Sequence, residues 1–243
     1  MRIGLDFDGV LFDTERVFHA WATKIAKHGI VKPDSIFAQV KYGFDEKENM
    51  EYLHDLVKLT YKANIMPFAD EILAKWIKAG HEIFIISSRA VQLCCVKEFI
   101  KGANDMLKKF GFSFPWLTAK REDTDFRLAV MDKAAICVEN KIDILVEDNL
   151  SIVEKAAKAG VKCVHFCDFF GLKQKPLAPN PNIVRAENWF EIDAVVAEWQ
   201  TRGFQKPVSN RAGSTPVHRT TSLRLDAVLG SDKPSKSKRG AQC

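Results

Sequence analysis

The chain has 243 residues, 47% of them hydrophobic and 28% charged, with a formal net charge of +5. That is an ordinary globular composition, long enough to bury one good core with a smaller accessory domain. No run of eighteen apolar residues occurs, and the first residues lead straight into a strand pattern; neither a membrane span nor a secretory leader is expected, and the expected compartment is the cytoplasm.

The first element predicted is a buried strand over residues 3–6. It runs into Asp6-Phe7-Asp8-Gly9-Val10, which places carboxylates at the carboxyl end of a strand, where open α/β sheets bind ligands. On a regular strand Asp6 and Asp8 would share a face, a like-charge pair that wants a cation or a shared proton. Gly9 permits a tight turn or a close backbone approach to a ligand. A phosphoryl group with a divalent metal would use all of this, one carboxylate as nucleophile and the other handling the leaving-group proton. The competing reading is an acidic surface turn.

Residues 14–66 contain helical pattern only, beginning with a helix over 15–27 that carries Val17, Trp21 and Ile25 on one face. An insertion of this size after the first strand reads as a helical cap over the strand ends, the alternative being long crossover helices. A helix over 69–78 follows, with Pro67 suited to its first turn.

A second strand over 82–87 ends in Ser87-Ser88-Arg89, hydroxyls and a forked guanidinium that can donate to phosphate oxygens, although serines also cap helices. A helix over 91–110 and a weaker strand over 113–118 come next. The helix over 133–139 opens with Lys133, whose ammonium could offset a carboxylate nucleophile and a phosphate; Lys141 is the less favoured alternative. A strand over 142–147 ends in Glu147-Asp148-Asn149, repeating the acid placement of Asp6 and Asp8, and hard oxygen donors there suit Mg²⁺. Asn149 could also cap the next helix, predicted over 152–159. A last strand is expected over 161–167. Gly80 and Gly160 fall where helix ends want glycine. The alternation argues for an α/β fold with a mostly parallel sheet flanked by helices.

Six cysteines, Cys94, Cys95, Cys137, Cys163, Cys167 and Cys243, are scattered along the chain, which suits a reducing compartment. Cys163 and Cys167 have no second ligand pair at zinc-like spacing, so buried thiols are favoured there. The charge is uneven. Residues 203–243 hold eight Lys or Arg against two acids, a net of +6, leaving −1 for residues 1–202. This basic tail lacks the apolar density to offset ordering entropy and is expected to be disordered. Its charge suits an acidic partner, an anionic membrane surface or nucleic acid, and Arg219-Thr220-Thr221-Ser222 suits a basophilic kinase; a simply solvated tail is favoured.

The ordered set Asp6-Phe7-Asp8-Gly9-Val10, Ser87, Lys133 and Glu147-Asp148 resembles the four motifs of the haloacid dehalogenase superfamily of phosphohydrolases. The resemblance implies a Rossmann-like core over residues 1–13 and 67–202, a cap over 14–66 and a tail over 203–243. It also implies Asp6 as nucleophile through an aspartyl-phosphate, Asp8 as acid and base, Ser87 and Lys133 on the phosphoryl oxygens, and further phosphate contacts from Gly9, Ser88 and Arg89. Mg²⁺ would be held by Asp6, the backbone carbonyl of Asp8 and Asp148, with Glu147 behind them.

The variant Ile86-Ser87-Ser88-Arg89 and the segment Asn182-Ile183-Val184-Arg185-Ala186-Glu187-Asn188-Trp189 resemble the 5′-nucleotidase-like group related to pyrimidine deoxyribonucleotidases, which implies a nucleoside monophosphate substrate. Ser in place of the commoner Thr at motif two, and Glu at the start of motif four, depart from that pattern. The rival readings are a sugar or carboxylic-acid phosphatase and a non-catalytic binding protein on the same fold. A kinase has little support, since the sequence has no Gly-x-x-x-x-Gly-Lys-Ser/Thr phosphate loop.

Overall fold

Short apolar runs that end on polar residues build the sheet of the computed structural model, which describes residues 1–25, 29–32, 35, 38–87, 96–117, 132–167 and 179–201. The strands β1 (Arg2–Leu5), β2 (Glu82–Ile85), β3 (Ile144–Glu147), β4 (Lys162–Phe166) and β5 (Ile183–Ala186) lie in the order β2-β1-β3-β4-β5. Every neighbouring pair is parallel. The described helices are α1 (Thr14–Ile25), α2 (Ala38–Tyr42), α3 (Glu46–Thr60), α4 (Ala69–Lys78), α5 (Val96–Lys108), α6 (Lys133–Glu139), α7 (Leu150–Lys158) and α8 (Trp189–Thr201).

Parallel strands covered on both faces put alternate residues into two apolar layers. Ile3, Leu5, Ile83, Ile85, Ile144, Val146 and Val164 face one layer, filled by Leu73 and Trp76 of α4, Met106 and Leu107 of α5, and Ile192, Val196 and Trp199 of α8. Phe84, Leu145 and Cys163 face the other, against Ala134, Ile136 and Cys137 of α6 and Val153, Ala156 and Ala157 of α7. Gly4 belongs to the second face: a Cβ there would lie 2.5 Å from Cδ1 of Ile86.

Helices α1 and α3, with the α2 region between them, surround a third cluster, rich in rings, of Phe18, Ala22, Tyr42, Phe44, Tyr52 and Leu59. The helical segment after β1 thus fits a cap, and no strand was expected there. The polar stretch 44–49 starts α3: Asp45 accepts from the Glu48 backbone N–H and the Glu48 side chain accepts from that of Asp45, a reciprocal cap.

Several expectations change. Of the strand expected over 113–118, the described residues 113–117 show an isolated bridge between Ile85 and Trp116, Pro115 having no N–H to extend a ladder; residue 118 lies outside the described residues. The strand expected from 142 begins at Ile144, because Lys141 turns at φ 51. The helix expected over 69–78 is present as α4 with the same bounds, Pro67 lying before its N-cap, Phe68, at φ 65. Strand β5 and helix α8 were not anticipated as elements. Of the helix expected over 91–110, α5 covers Val96–Lys108; residues 91–95 lie outside the described residues.

The chain divides into the unit Met1–Phe204 and the unit Gln205–Cys243, the latter outside the described residues. Among the described residues no helix is long and apolar enough to cross a membrane.

Candidate active site

Parallel register brings three strand ends to one edge of the sheet. Leu5 lies opposite Ile85 on one side and Val146 on the other. The residues just beyond the ladders, Asp6, Ser87 and Glu147-Asp148, therefore gather where the strands end.

Asp6 is the last residue tied to the sheet, its N–H donating to the Val146 carbonyl at 3.0 Å. Asp6 and Asp8 do not share the face of a regular strand, as the sequence had suggested, because the ladder stops at Leu5 and the chain turns. Leu11 and Phe12 both donate to the Phe7 carbonyl, at 3.2 and 3.0 Å, and Gly9, at φ 71, donates to the Phe12 carbonyl at 2.9 Å. Left-handed backbone of this kind favours glycine. Phe7 is fully buried and stacks on Phe12 with ring centres 4.7 Å apart. Asp8 is half-buried in the turn, near enough for its charge to act on Asp6. Trp189 of α8 pins the turn from behind, its Nε1–H donating to the Val10 carbonyl at 3.1 Å.

Lys133 is the first residue of α6, whose start is set by Asp132: Oδ1 accepts from the Ala135 N–H at 3.1 Å and Oδ2 from Lys155 at 2.7 Å. Its Nζ lies 2.8 Å from Oδ2 of Asp6 and 2.6 Å from Oε2 of Glu147, with the lysine side chain only 1% exposed. One ammonium bridges two buried carboxylates. The other oxygen of Glu147 accepts from the Asn149 N–H at 3.1 Å, so both its oxygens are engaged. Lys141 stands exposed before the opposite end of β3.

Asp6, Glu147 and Asp148 offer oxygens that all lie within 4.8 Å of one another. Burial and the Glu147 charge, opposed by Lys133, push Asp6 up to about 7. Burial, then Glu147 and Asp6, push Asp148 well above the usual carboxylate range. Burial alone would lower Lys133, but the attraction of Asp6 and Glu147 outweighs it and holds the ammonium above its ordinary value. Three acids against one lysine leave surplus negative charge among hard oxygen donors, and this donor set fits Mg²⁺.

Ser87 is buried at 2% exposure, one residue past Ile86, whose N–H donates to the Leu5 carbonyl at 2.9 Å. Ser88 and Arg89 lie outside the described residues. Cys163 donates to the Val161 carbonyl at 3.4 Å, while Cys167 lies beside His165; among the described residues the cluster able to hold a metal is the carboxylate one.

Three contributors escaped sequence reasoning. Glu15, in the first turn of α1, pairs with Lys41 at 3.0 Å and adds to the rise at Asp148. Trp189 shapes the Asp8 turn, and His165 holds the Asp148 carbonyl. Only His165 carried a signal, an imidazole inside the apolar run Val164-His165-Phe166 that must find a partner once buried.

No protein-family profile matches the chain, and no curated protein sequence does. Solved structures do. A provisionally designated phosphatase from Clostridium difficile is 16% identical, with a TM-score of 0.51 over 80% of this chain and 97% of that one. A Clostridium acetobutylicum protein described as a predicted phosphatase is 14% identical, with a TM-score of 0.52 over 82% and 98%. A hydrolase of the haloacid dehalogenase-like family from Streptococcus pneumoniae is 15% identical, with a TM-score of 0.45 over 80% and 97%. At such identities the likeness is one of fold, and the chain shares with the two Clostridium proteins an α/β fold, here a five-stranded parallel sheet flanked by helices.

Proposed function

We propose that the chain is a Mg²⁺-dependent phosphomonoester hydrolase working through an aspartyl-phosphate. The observation that carries this is the buried bridge Asp6–Lys133–Glu147 with Asp148 beside it, at the carboxyl edge of the sheet. In the first step a carboxylate oxygen of Asp6 forms a bond to phosphorus while the ester P–O bond breaks, and Asp8 gives its proton to the leaving alcohol. In the second, Asp8 takes a proton from water, the water oxygen bonds to phosphorus, and Asp6 is released with inorganic phosphate. Ser87 and Lys133 hold the phosphoryl oxygens, joined by Gly9, Ser88 and Arg89. Lys133 also keeps Asp6 oriented and partly neutralised before substrate arrives.

The cation belongs to Asp6, the Asp8 carbonyl and Asp148. Glu147 serves behind them, since Lys133 and the Asn149 N–H already occupy its oxygens. When bound, Mg²⁺ supplies charge stabilisation to the phosphoryl group.

Residues 14–66 act as the cap on a core of 1–13 and 67–202, and the basic tail 203–243 serves a partner or none. A nucleoside monophosphate is the first substrate class to test, supported by the resemblance at residues 86–89 and 182–189; the rival is a sugar or carboxylic-acid phosphate. A panel of phosphate monoesters, including 5′- and 3′-deoxynucleotides, with and without Mg²⁺, decides it. We expect phosphate release by the wild type and none by a folded Asp6→Asn protein. A wild type inert across the panel would sink the enzymatic reading in favour of a binding protein.

A further inference from the structure

The peptide that joins Asp148 to Asn149 is gripped at both its polar atoms. Its carbonyl, on Asp148, lies 3.0 Å from Nε2 of His165. Its N–H, on Asn149, donates to Oε1 of Glu147 at 3.1 Å. One residue on, the Asn149 side chain caps α7 by accepting from the N–H groups of Ser151 and Ile152 at 3.0 and 3.3 Å. A peptide plane clamped at oxygen and nitrogen resists swinging, so the Cα of Asp148 and the direction in which its side chain leaves the backbone are held from the backbone.

His165 is built for this task. It sits on β4 directly opposite Glu147 and is 1% exposed. A carbonyl can only accept, so Nε2 must carry the ring proton. Nδ1 is then an acceptor, and Sγ of Cys167 lies 3.3 Å from it, closer than the 3.5 Å to the His165 carbonyl. Burial pushes the Cys167 thiol up to about 11, so it keeps its proton at neutral pH and can donate to Nδ1. Thiol, ring and carbonyl form a directed relay that selects one tautomer.

We infer that His165 is a positioning residue, whose Nε2–H bond to the Asp148 carbonyl aims the Asp148 carboxylate at the divalent-cation site. This rests on the reading of Asp148 as a metal ligand. Partners that orient a metal ligand are worth about 10- to 100-fold in metal affinity when removed.

The test uses the full chain and Mg²⁺ alone, measured by titration calorimetry, with urea midpoints alongside. Gln can place an amide N–H near the position of Nε2, and Leu cannot. We expect His165→Gln to bind Mg²⁺ within about threefold of wild type and His165→Leu to bind at least about tenfold more weakly. Equal affinity in wild type and His165→Leu overturns the inference and leaves the hydrolase reading standing. A wild type that binds no Mg²⁺ overturns that reading and the inference with it. If the variants fail to fold, ¹⁵N-histidine spectra of the wild type still decide: the Nε2-protonated tautomer is expected at His165, and an Nδ1-protonated ring overturns the inference.

Discussion

Asp6 carries its charge at a cost that depends on pH, and the cost can be measured. In the metal-free protein burial and Glu147 move its pKa from 3.8 to about 7. Between those values the folded state holds a proton that the unfolded chain has released. The stability this proton contributes is complete below about pH 3.8 and is lost as pH rises through about 7. At roughly 1.4 kcal/mol per pH unit the whole loss is about 4 kcal/mol, a large share of the roughly 5–15 kcal/mol that holds a typical domain together. Asp6→Asn replaces the carboxylate with a neutral group of the same size and removes the titration.

Urea unfolding in EDTA from pH 4 to pH 8.5 should therefore show nearly equal wild type and variant at the acid end, with the variant pulling ahead as pH rises. At an m-value of roughly 2 kcal/mol/M, the variant's midpoint at pH 8 should exceed that of wild type by about 2 M. Saturating Mg²⁺ should raise the wild type more than the variant, because the variant lacks the Asp6 carboxylate proposed to hold the cation. Parallel pH profiles, or a variant less stable than wild type at pH 8 in EDTA, would refute the account of the site as an over-charged pocket.

Lys133→Met should destabilise the metal-free protein by about 3–5 kcal/mol at neutral pH, since Asp6 and Glu147 both lose a buried partner; urea unfolding measures it, and a loss under 1 kcal/mol would contradict the bridge. Trp189→Phe keeps the ring in the core but leaves the buried Val10 carbonyl without its donor, an expected cost of about 1–3 kcal/mol. Asp132→Ala removes the cap of the helix that carries Lys133 and should cost about 1 kcal/mol at neutral pH. The hydrogen bond from Lys155 lowers the Asp132 pKa below 3.8, so its contribution is present above that value and disappears as pH falls through the folded pKa; variant and wild type should converge in acid.

Four strands of the sheet could be read from the chain because a strand buried on both faces is an unbroken apolar run. The fifth could not. Strand β5 is four residues long, half-buried, and contains Arg185, so neither length nor alternation marks it. Helix α8 was missed for a related reason: Trp189, Ile192, Val196 and Trp199 are buried, but Phe190 is 54% exposed, and apolar residues all round blur the stripe on which helix reading depends. At the site, an acid that closes an apolar run is visible in one dimension, which is why Asp6, Glu147 and Asp148 stood out. What the acids touch is not visible there. That Lys133 serves Asp6 and Glu147 together, and that a tryptophan from the last described helix shapes the Asp8 turn, depends on the strand order and on α6 and α8 packing on opposite faces.

The same register explains why Glu147 and Asp148, adjacent and chemically alike, have different surroundings. Glu147 still belongs to the β3–β4 ladder and points where Lys133 and the Asn149 N–H can take both its oxygens. Asp148 is the first residue outside the ladder, and its backbone is held by a side chain instead. One acid is thus consumed in anchoring the lysine beside Asp6, while the next brings a carboxyl oxygen close to Asp6 without joining that bridge. Exchanging the two by Glu147→Asp and Asp148→Glu together would keep the total charge but shorten the reach to Lys133. If the division of labour holds, that double exchange should weaken Mg²⁺ binding at least as much as His165→Leu does; unchanged affinity would mean that the two acids are interchangeable and that ladder membership does not assign their roles.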